Sequence, residues 1–207
     1  PTTLRRATVP GDLVLQARRE PYAAFFSVEE YQLTHRRHAG GMTAPLTRAA
    51  FLSGDAATVL PYDPARDVVL LIEQFRVGPF ARGAREWWSL EAIAGIVDGG
   101  ETPEETARRE AREEAGLALG PLHRVYGYYP SPGAKAEFIY SFVATADLPE
   151  EAAQEGGLAS EGEDIRAHIV PFARAMALCE SGEIGNAPLL LSLMWLERNR
   201  ARLRQGA

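Results

Sequence analysis

Short apolar and alternating runs, each bounded by turn-forming residues, predict β-strands along much of the chain. Two apolar runs at 57–60 and 68–72 flank residues 61–67, a polar segment with two prolines, and this arrangement predicts a β-hairpin. Further strands are predicted at 13–16, 25–35, 122–129, 137–145 and 165–170. Helices are predicted at 171–179 and 187–203, and Asn186 is a suitable cap for the second of them.

One helix has a clear start and a clear end in the sequence. Thr102 is a predicted N-cap, Pro103 takes the first helical position and Glu105 completes a capping box. Gly116 suits the position where such a helix must end. Residues 147–164, rich in Glu, Gly and Ala, then predict a long mobile loop, and a loop of more than about 12 residues in a compact domain is often functional.

The first 50 residues differ from the rest in having only short predicted strands and glycine-containing turns. So few strands do not form a hydrophobic core alone, so this segment is expected to pack on something else. We therefore predict a small antiparallel β domain over residues 1–50 and a larger α/β domain over residues 51–207.

Composition and charge narrow the class of protein. The 207 residues are 46% apolar, enough for one core with a small appendage. A net charge of −6 argues against partners such as nucleic acid or an anionic membrane. Cys179 is the single cysteine and fits a reducing compartment. With no apolar run near the ~18 residues of a membrane span and no secretion signal, we expect a cytoplasmic protein.

Three glutamates of the capped helix, Glu110, Glu113 and Glu114, are spaced so that they share one face. Carboxylates this close repel one another unless positive charge lies among them. Mg²⁺ is the usual cation where phosphates complete an oxygen coordination shell. The alternative is an ordinary solvated helix, because Arg109 also stands in i,i+4 spacing with Glu105 and Glu113.

A longer pattern surrounds these glutamates. Gly95 is followed after five residues by Glu101, and after seven more by Arg-Glu-Ala-Arg-Glu-Glu-Ala-Gly-Leu at 109–117. These identities and spacings resemble the Nudix box, with one departure at Ala111, where Ile, Leu or Val is usual. The resemblance implies an α/β/α sandwich around a mixed sheet.

The same resemblance implies a metal centre on the helix. The Nudix glutamates that match Glu110 and Glu114 bind metal directly, and the one that matches Glu113 is a ligand or a bridging group. A backbone carbonyl just before the box glycine, here that of Ala94, is a further ligand. Two or three Mg²⁺ ions are implied, which Mn²⁺ can replace, and Arg109 is placed to hold a carboxylate of the cluster.

Several stretches outside the box are similar to bacterial ADP-ribose pyrophosphatases: 25–27, 71–76, 131–133, 161–166 and 185–187, with Pro132 about fifteen residues beyond the box. This resemblance implies hydrolysis of ADP-ribose, a small nucleotide sugar, to AMP and ribose 5-phosphate. It also implies a homodimer that exchanges N-terminal strands and builds each active site from both chains. The first 50 residues, which lack a core of their own, agree with that expectation.

The resemblance assigns substrate roles to five residues. Phe25 would stack on the adenine, and Arg48 would contact the nucleotide from the partner subunit. Arg76 would bond polar groups of the ligand, and Ser131 would lie by the terminal ribose, with Gly133 in the same turn. Each has a structural alternative: a core phenylalanine, a strand end or an ordinary turn.

The general base is expected on the 147–164 loop. The resemblance implies that Glu161 activates the attacking water and that Glu163 touches a metal when the loop closes, whereas both would otherwise be solvated acids. Glu163 and Glu137 are the next candidates for the base. The sequence also leaves open another nucleotide sugar, such as GDP-mannose or ADP-glucose, and a non-catalytic ADP-ribose sensor, although the box glutamates that such sensors lose are present here.

Overall fold

The computed structural model describes residues 3–152, 155–157 and 162–205. The strands, in chain order, are β1 (Leu13–Ala23), β2 (Ser27–His35), β3 (Leu46–Leu52), β4 (Ala56–Asp63), β5 (Val68–Phe75), β6 (Trp88–Glu91), β7 (Ile93–Ile96), β8 (Leu122–Tyr128), β9 (Lys135–Ala136), β10 (Ile139–Thr145), β11 (Glu155–Gly156) and β12 (Ile165–Pro171). The helices are α1 (Val77–Arg82), α2 (Pro103–Ala115), α3 (Phe172–Ser181) and α4 (Ala187–Gln205), with a short 3₁₀ turn at Glu150–Ala152.

The chain divides into two compact units. The first contains Pro1–Gly54 and Ser131–Glu137, and the second contains Asp55–Pro130 and Phe138–Ala207. The division therefore falls at Gly54 instead of residue 50, because β3 continues through that position. Ser131–Glu137 joins the first unit because β9 pairs in parallel with β3.

The first unit is a four-stranded sheet in the order β1-β2-β3-β9. Its long strands are antiparallel, with Leu13 opposite His35 at one end of β1 and Ala23 opposite Ser27 at the other. Every residue of β1 is exposed, on both faces of the strand. This unit thus buries little of its own apolar surface, as the short strands predicted for residues 1–50 lead one to expect.

The second unit is built on a mixed sheet in the order β11-β12-β5-β4-β10-β8, to which β6 adds beside β5 and β7 beside β4. β10 runs parallel to β4, and the other pairs are antiparallel. The predicted hairpin is present: Tyr62 lies opposite Val69 across the 64–67 turn. The mixed sheet predicted for the fold is confirmed.

Alternating side chains of the central strands face two separate layers of helix. On β5, Val68, Leu70 and Ile72 pack with Ala107 and Ala111 of α2. The intervening Val69 and Leu71 pack with residues of α3 and α4, namely Phe172, Ala175, Leu178, Leu189, Leu193 and Leu196. Strands buried on both faces are continuous apolar runs, which is why 68–72 has no polar position. The result is the expected α/β/α sandwich.

Most of the other predicted elements match the structure within a few residues, although β1 continues to Ala23, beyond the predicted 13–16. The predicted strands at 122–129, 137–145 and 165–170 are β8, β10 and β12, and α3 and α4 are the two predicted helices. The sequence patterns did not predict α1 or the strands β3, β6, β7, β9 and β11. Among the described helices, none is both long and apolar enough to cross a lipid bilayer.

Candidate active site

Helix α2 begins and ends where its sequence predicts. The Thr102 hydroxyl accepts a hydrogen bond from the Glu105 backbone N–H at 3.2 Å, and the Glu105 carboxylate accepts one from the Thr102 N–H at 2.8 Å. Gly116 ends the helix with φ of 64°, the left-handed conformation that favours glycine. Ala107 and Ala111 are buried against the sheet. The helix therefore presents the faces carrying its glutamates in a fixed direction.

Arg109 lies among three carboxylates, those of Glu101, Glu110 and Glu113. Its Nη1 donates to Glu110 Oε1 at 2.7 Å and to Glu113 Oε2 at 2.8 Å, while its Nε donates to Glu101 Oε1 at 3.1 Å. Glu101 reaches this position because the loop folds back, and it also accepts from the Thr106 hydroxyl at 2.9 Å. The hydrogen bond to Glu101 is the largest of several contacts that raise the pKa of Arg109. Arg109 is therefore a permanent cation that holds three carboxylates.

Glu114 has a different environment, deep between α2 and the sheet. The residue is 1% exposed, and its Oε2 has no hydrogen-bond partner among the described residues. Burial, followed by the charges of Glu110 and Glu163, raises its pKa to about 9, although a hydrogen bond from the Ala94 backbone acts in the opposite direction. A buried carboxylate without a full set of partners is costly.

Glu110 lies between these two environments. Burial raises its pKa to about 7, against the lowering effect of Arg109 and with a contribution from Glu113 and Glu163. A Cβ on Gly95 of β7 would overlap the Glu110 carboxylate. A side chain at position 95 would therefore displace the Glu110 carboxylate from its place between β7 and α2, which gives a physical reason for glycine at the first position of the sequence pattern.

The donor set fits a divalent cation. Glu114 has an orphaned oxygen, Glu110 and Glu163 crowd it with like charge, and the Ala94 backbone lies beside it. In the described ranges, no three His, Cys, Asp or Glu side chains are already arranged to hold a metal ion. Instead, Glu110 and Glu113 accept hydrogen bonds from Arg109. Coordination would therefore require these side chains to turn, whereas Glu114 is already in place.

Arg76 follows β5 and forms a two-point ion pair with Glu91 at the end of β6. Its Nε donates to Glu91 Oε1 at 3.0 Å, and its Nη2 donates to Oε2 at 2.9 Å. Burial lowers the pKa of Arg76, but the bond to Glu91 and the charges of Glu91, Glu114 and Glu163 outweigh it, so the pKa is raised. Arg76 is thus in the electrostatic field of the glutamate cluster.

The two predicted loop glutamates differ in what the structure describes. Glu161 lies outside the described residues. Glu163 is half-buried and its charge acts on Glu110, Glu114 and Arg76. Gly157, with φ of 92°, lies against it: a Cβ there would be 2.8 Å from Glu163 Cβ. The structure therefore places Glu163 close enough to Glu110 and Glu114 for its charge to act on both.

Four predicted substrate residues belong to the first unit. Phe25 is 82% exposed and touches Phe26 edge to face, with ring centroids 4.7 Å apart, so it is not a core residue. Arg48 is exposed and donates to the Thr47 carbonyl at 2.8 Å. The Ser131 carbonyl accepts from Lys135 N–H at 2.9 Å in an exposed turn that includes Gly133.

Glu91 was not predicted as a site residue, because no motif or spacing in the sequence around it indicates a role. Its position beside Arg76 depends on the β5–β6 register, which pairs Ile72 with Glu91 and Phe75 with Trp88. Glu105 was considered as a partner of Arg109, but it caps the helix instead. Glu137, the alternative base, belongs to the first unit and forms an ion pair with Lys135 at 2.9 Å.

Comparison with known proteins gives a consistent result. The curated ADP-ribose pyrophosphatase of Escherichia coli is 39% identical over 194 residues, covering 94% of this chain and 92% of that protein. The enzyme of the same name from Haemophilus influenzae is 37% identical over 197 residues, covering 94% and 90%. The GDP-mannose pyrophosphatase of Salmonella arizonae is 36% identical over 166 residues, covering 80% and 84%.

A solved structure has the same fold. The crystal structure of an ADP compounds hydrolase superposes with a TM-score of 0.70 at 21% identity, covering 96% of this chain and all of that one. The family model of the NUDIX domain matches residues 52–193, a span that contains the capped helix, Arg109 and all four glutamates of the box. This chain belongs to the Nudix family.

Proposed function

We propose that this protein hydrolyses the pyrophosphate bond of ADP-ribose, with Mg²⁺, to AMP and ribose 5-phosphate. The observation that carries the proposal is the buried Glu114 carboxylate, crowded by Glu110 and Glu163 and lacking a partner for one oxygen among the described residues. A divalent cation supplies the missing positive charge, and a diphosphate completes its oxygen coordination. The names of the relatives supply the nucleotide sugar.

The residues that would hold Mg²⁺ are Glu110, Glu113, Glu114 and the Ala94 carbonyl, and two or three ions, for which Mn²⁺ can substitute, are proposed. When bound, the metal would neutralise charge on the diphosphate and lower the pKa of water. Arg109 donates hydrogen bonds to Glu110 and Glu113, and its guanidinium would keep both side chains beside the metal when they turn to coordinate it.

The remaining roles belong to side chains that bind substrate or move a proton. Arg76 donates hydrogen bonds to the ligand from the nitrogens that Glu91 leaves free. Glu161 takes the proton of the attacking water, and Glu163 is the alternative base. We assign adenine stacking to Phe25, nucleotide contact to Arg48, and contact with the terminal ribose to Ser131 and Gly133; all four are exposed.

A homodimer in the cytoplasm is the proposed assembly. β1 is an edge strand exposed over its whole length, with Leu13, Val14 and Leu15 about half exposed. An exposed apolar edge is a liability unless another chain covers it, and a second copy would do so. The single Cys179 agrees with a reducing compartment.

A second substrate is favoured by one observation. The GDP-mannose pyrophosphatase of Salmonella arizonae is 36% identical over 166 residues, only slightly below the ADP-ribose enzymes. The residues of α2 act on a diphosphate whichever base it carries, so they do not distinguish the two sugars. A sensor without turnover is disfavoured because Glu101, Glu110, Glu113 and Glu114 are all present.

A product assay tests the proposal. ADP-ribose, GDP-mannose and ADP-glucose are supplied separately with Mg²⁺, and the released mononucleotide is identified by chromatography. We expect AMP from ADP-ribose with the highest kcat/KM, no AMP in EDTA, and release about 10³-fold slower with Glu114→Gln. Faster release of GMP from GDP-mannose would reassign the substrate, and binding without any release would favour the sensor.

A further inference from the structure

The buried carboxylate of Glu91 forms a bidentate ion pair with the more exposed Arg76. Glu91 is 6% exposed, whereas the Arg76 side chain is 44% exposed. The pair is bidentate, at 3.0 Å and 2.9 Å, and two parallel bonds fix the plane of the guanidinium as well as its distance. Arg76 is thus anchored through Nε and Nη2, the two nitrogens that bond to Glu91.

The sheet register explains why the pair forms. Glu91 lies opposite Ile72, and residues opposite each other in an antiparallel pair share a face. Ile72 faces α2, so Glu91 faces the same side of the sheet as Glu114. Arg76 comes one residue after β5, and its backbone N–H donates to the carbonyl of Trp87, the residue before β6, at 2.9 Å.

Arg76 has other anionic neighbours besides Glu91. The charges of Glu114 and Glu163 also act on it. An arginine without its anchor would be attracted towards these side chains, because pairing with a guanidinium favours the ionised form of a carboxyl group such as Glu114 and neutralises the charge of Glu163. If the Arg76 guanidinium paired with Glu114 or Glu163, it could not donate hydrogen bonds to the substrate. It would also occupy a carboxylate that the proposed function assigns to the metal or to proton transfer.

We propose that Glu91 is a positioning residue that holds Arg76 in a bidentate grip, keeping its guanidinium away from Glu114 and Glu163 and directed at the diphosphate of the substrate. The inference rests on the proposed hydrolysis of a nucleotide sugar. Glu91 acts only through Arg76 and does not touch substrate. Its charge and its second oxygen are both required, because an amide offers one acceptor and no charge.

A double-mutant cycle tests the inference. We expect Glu91→Gln to raise KM for ADP-ribose about tenfold, the size of effect expected when a bond to a charged group is lost, with a smaller change in kcat. In an Arg76→Ala background the same substitution should change KM less than about twofold, because the residue through which Glu91 acts is gone. Equal effects in both backgrounds would overturn the proposal.

Binding without turnover gives an independent measurement. Calorimetric titration of ADP-ribose in EDTA should show weaker binding for Glu91→Gln and for Arg76→Lys, which keeps the charge but lacks the fork. Unchanged affinity in Arg76→Lys would show that the two-point grip is irrelevant. This variant also keeps the test decisive if Glu91→Gln fails to fold, which thermal melting will reveal.

Glu73→Gln is the matched control. Glu73 lies on β5 and pairs with His168 at 2.8 Å, and its neighbour Ile72 faces α2, so Glu73 points to the opposite face. Glu73→Gln should leave KM and the affinity for ADP-ribose unchanged. If it weakens binding as much as Glu91→Gln does, the effect comes from removing any negative charge and not from the pair with Arg76. If the wild-type protein does not hydrolyse ADP-ribose, the proposed function fails, and the same cycle, run with the nucleotide sugar it does hydrolyse, decides the role of Glu91.

Discussion

The glutamates at and just before α2 form a cluster with an outer end, Glu101 and Glu113, and an inner end, Glu114. The two ends balance their negative charge in different ways. At the outer end, Glu101 and Glu113 are paired with Arg109 by hydrogen bonds of 2.8–3.1 Å. At the inner end, Glu114 is 1% exposed and one of its oxygens has no partner among the described residues. The outer end is satisfied by the protein itself, whereas the inner end requires a charge from outside. The difference indicates where a cation contributes most.

The largest expected effect comes from neutralising the inner end. Glu114→Gln should lower kcat by about 10³-fold, because several kcal/mol of charge stabilisation are lost and each 1.4 kcal/mol is about tenfold. The fold should persist, since a neutral amide removes a buried charge. Steady-state kinetics and thermal melting measure the two effects.

Glu113→Gln is the comparison for that variant. The Glu113 side chain is 30% exposed and already paired with Arg109, so the loss of its charge should reduce kcat much less. A Glu113→Gln enzyme that is as inactive as Glu114→Gln would mean that the two ends are equivalent, and that the observed difference in burial has no functional consequence.

Removing the internal cation should have the next largest effect. Arg109→Gln leaves Glu101, Glu110 and Glu113 without their shared cation. The outer end would then, like the inner end, have carboxylates whose charge the protein does not balance. We expect kcat to fall about 10- to 100-fold, as for other losses of a group that orients ligands. Arg112→Gln, on the exposed side of the same helix, is the control. Equal activity of the two variants would exclude an orienting role for Arg109.

The metal-free protein should lose stability as pH rises. The pKa of Glu114 is about 9 in the folded protein against its ordinary value of 4.5, so the folded state holds a proton that the unfolded state has released. Stability is therefore greatest below about pH 4.5 for this group and is lost as pH rises towards about 9. Glu110, with a pKa of about 7, adds to the slope in the lower part of that window.

Thermal melting in EDTA between about pH 5 and pH 9 measures this slope. The melting temperature should fall by several degrees over that interval in the wild-type protein and by less in Glu114→Gln. Added Mg²⁺ should flatten the curve, because a bound cation replaces the proton. If the melting temperature depends on pH in the same way for both proteins in EDTA, burial does not raise the pKa of Glu114.

The sequence was sufficient where structure is determined locally. The cap formed by Thr102, Pro103 and Glu105 is present as predicted, and so is the 57–72 hairpin, because a capping box and an apolar run act over a few residues. Helix α1 escaped prediction since it has only six residues, no side-chain cap and no buried position. Propensity and periodicity have little to act on in so short an element.

The site was predictable to the extent that its residues lie on one helix. Glu110, Glu113 and Glu114 share a helical surface, and their spacing alone indicates this. Their unequal burial follows from the approach of β7 to α2, where a Cβ at Gly95 would displace the Glu110 carboxylate, and that contact is not local. Glu91 was missed for the same reason: its partner Arg76 is brought to it by strand pairing.

The smallest effect should come from the start of α2, away from both ends of the cluster. Thr102→Ala removes the acceptor for the Glu105 N–H and should cost about 1 kcal/mol of unfolding free energy, whereas Thr102→Ser should retain most of it. Because Ala107 and Ala111 anchor the helix on the sheet, kcat should change less than about twofold. Chemical denaturation and kinetics on the same samples separate the two quantities. A large loss of activity in Thr102→Ala, with Thr102→Ser normal, would mean that the cap itself sets the positions of the glutamates.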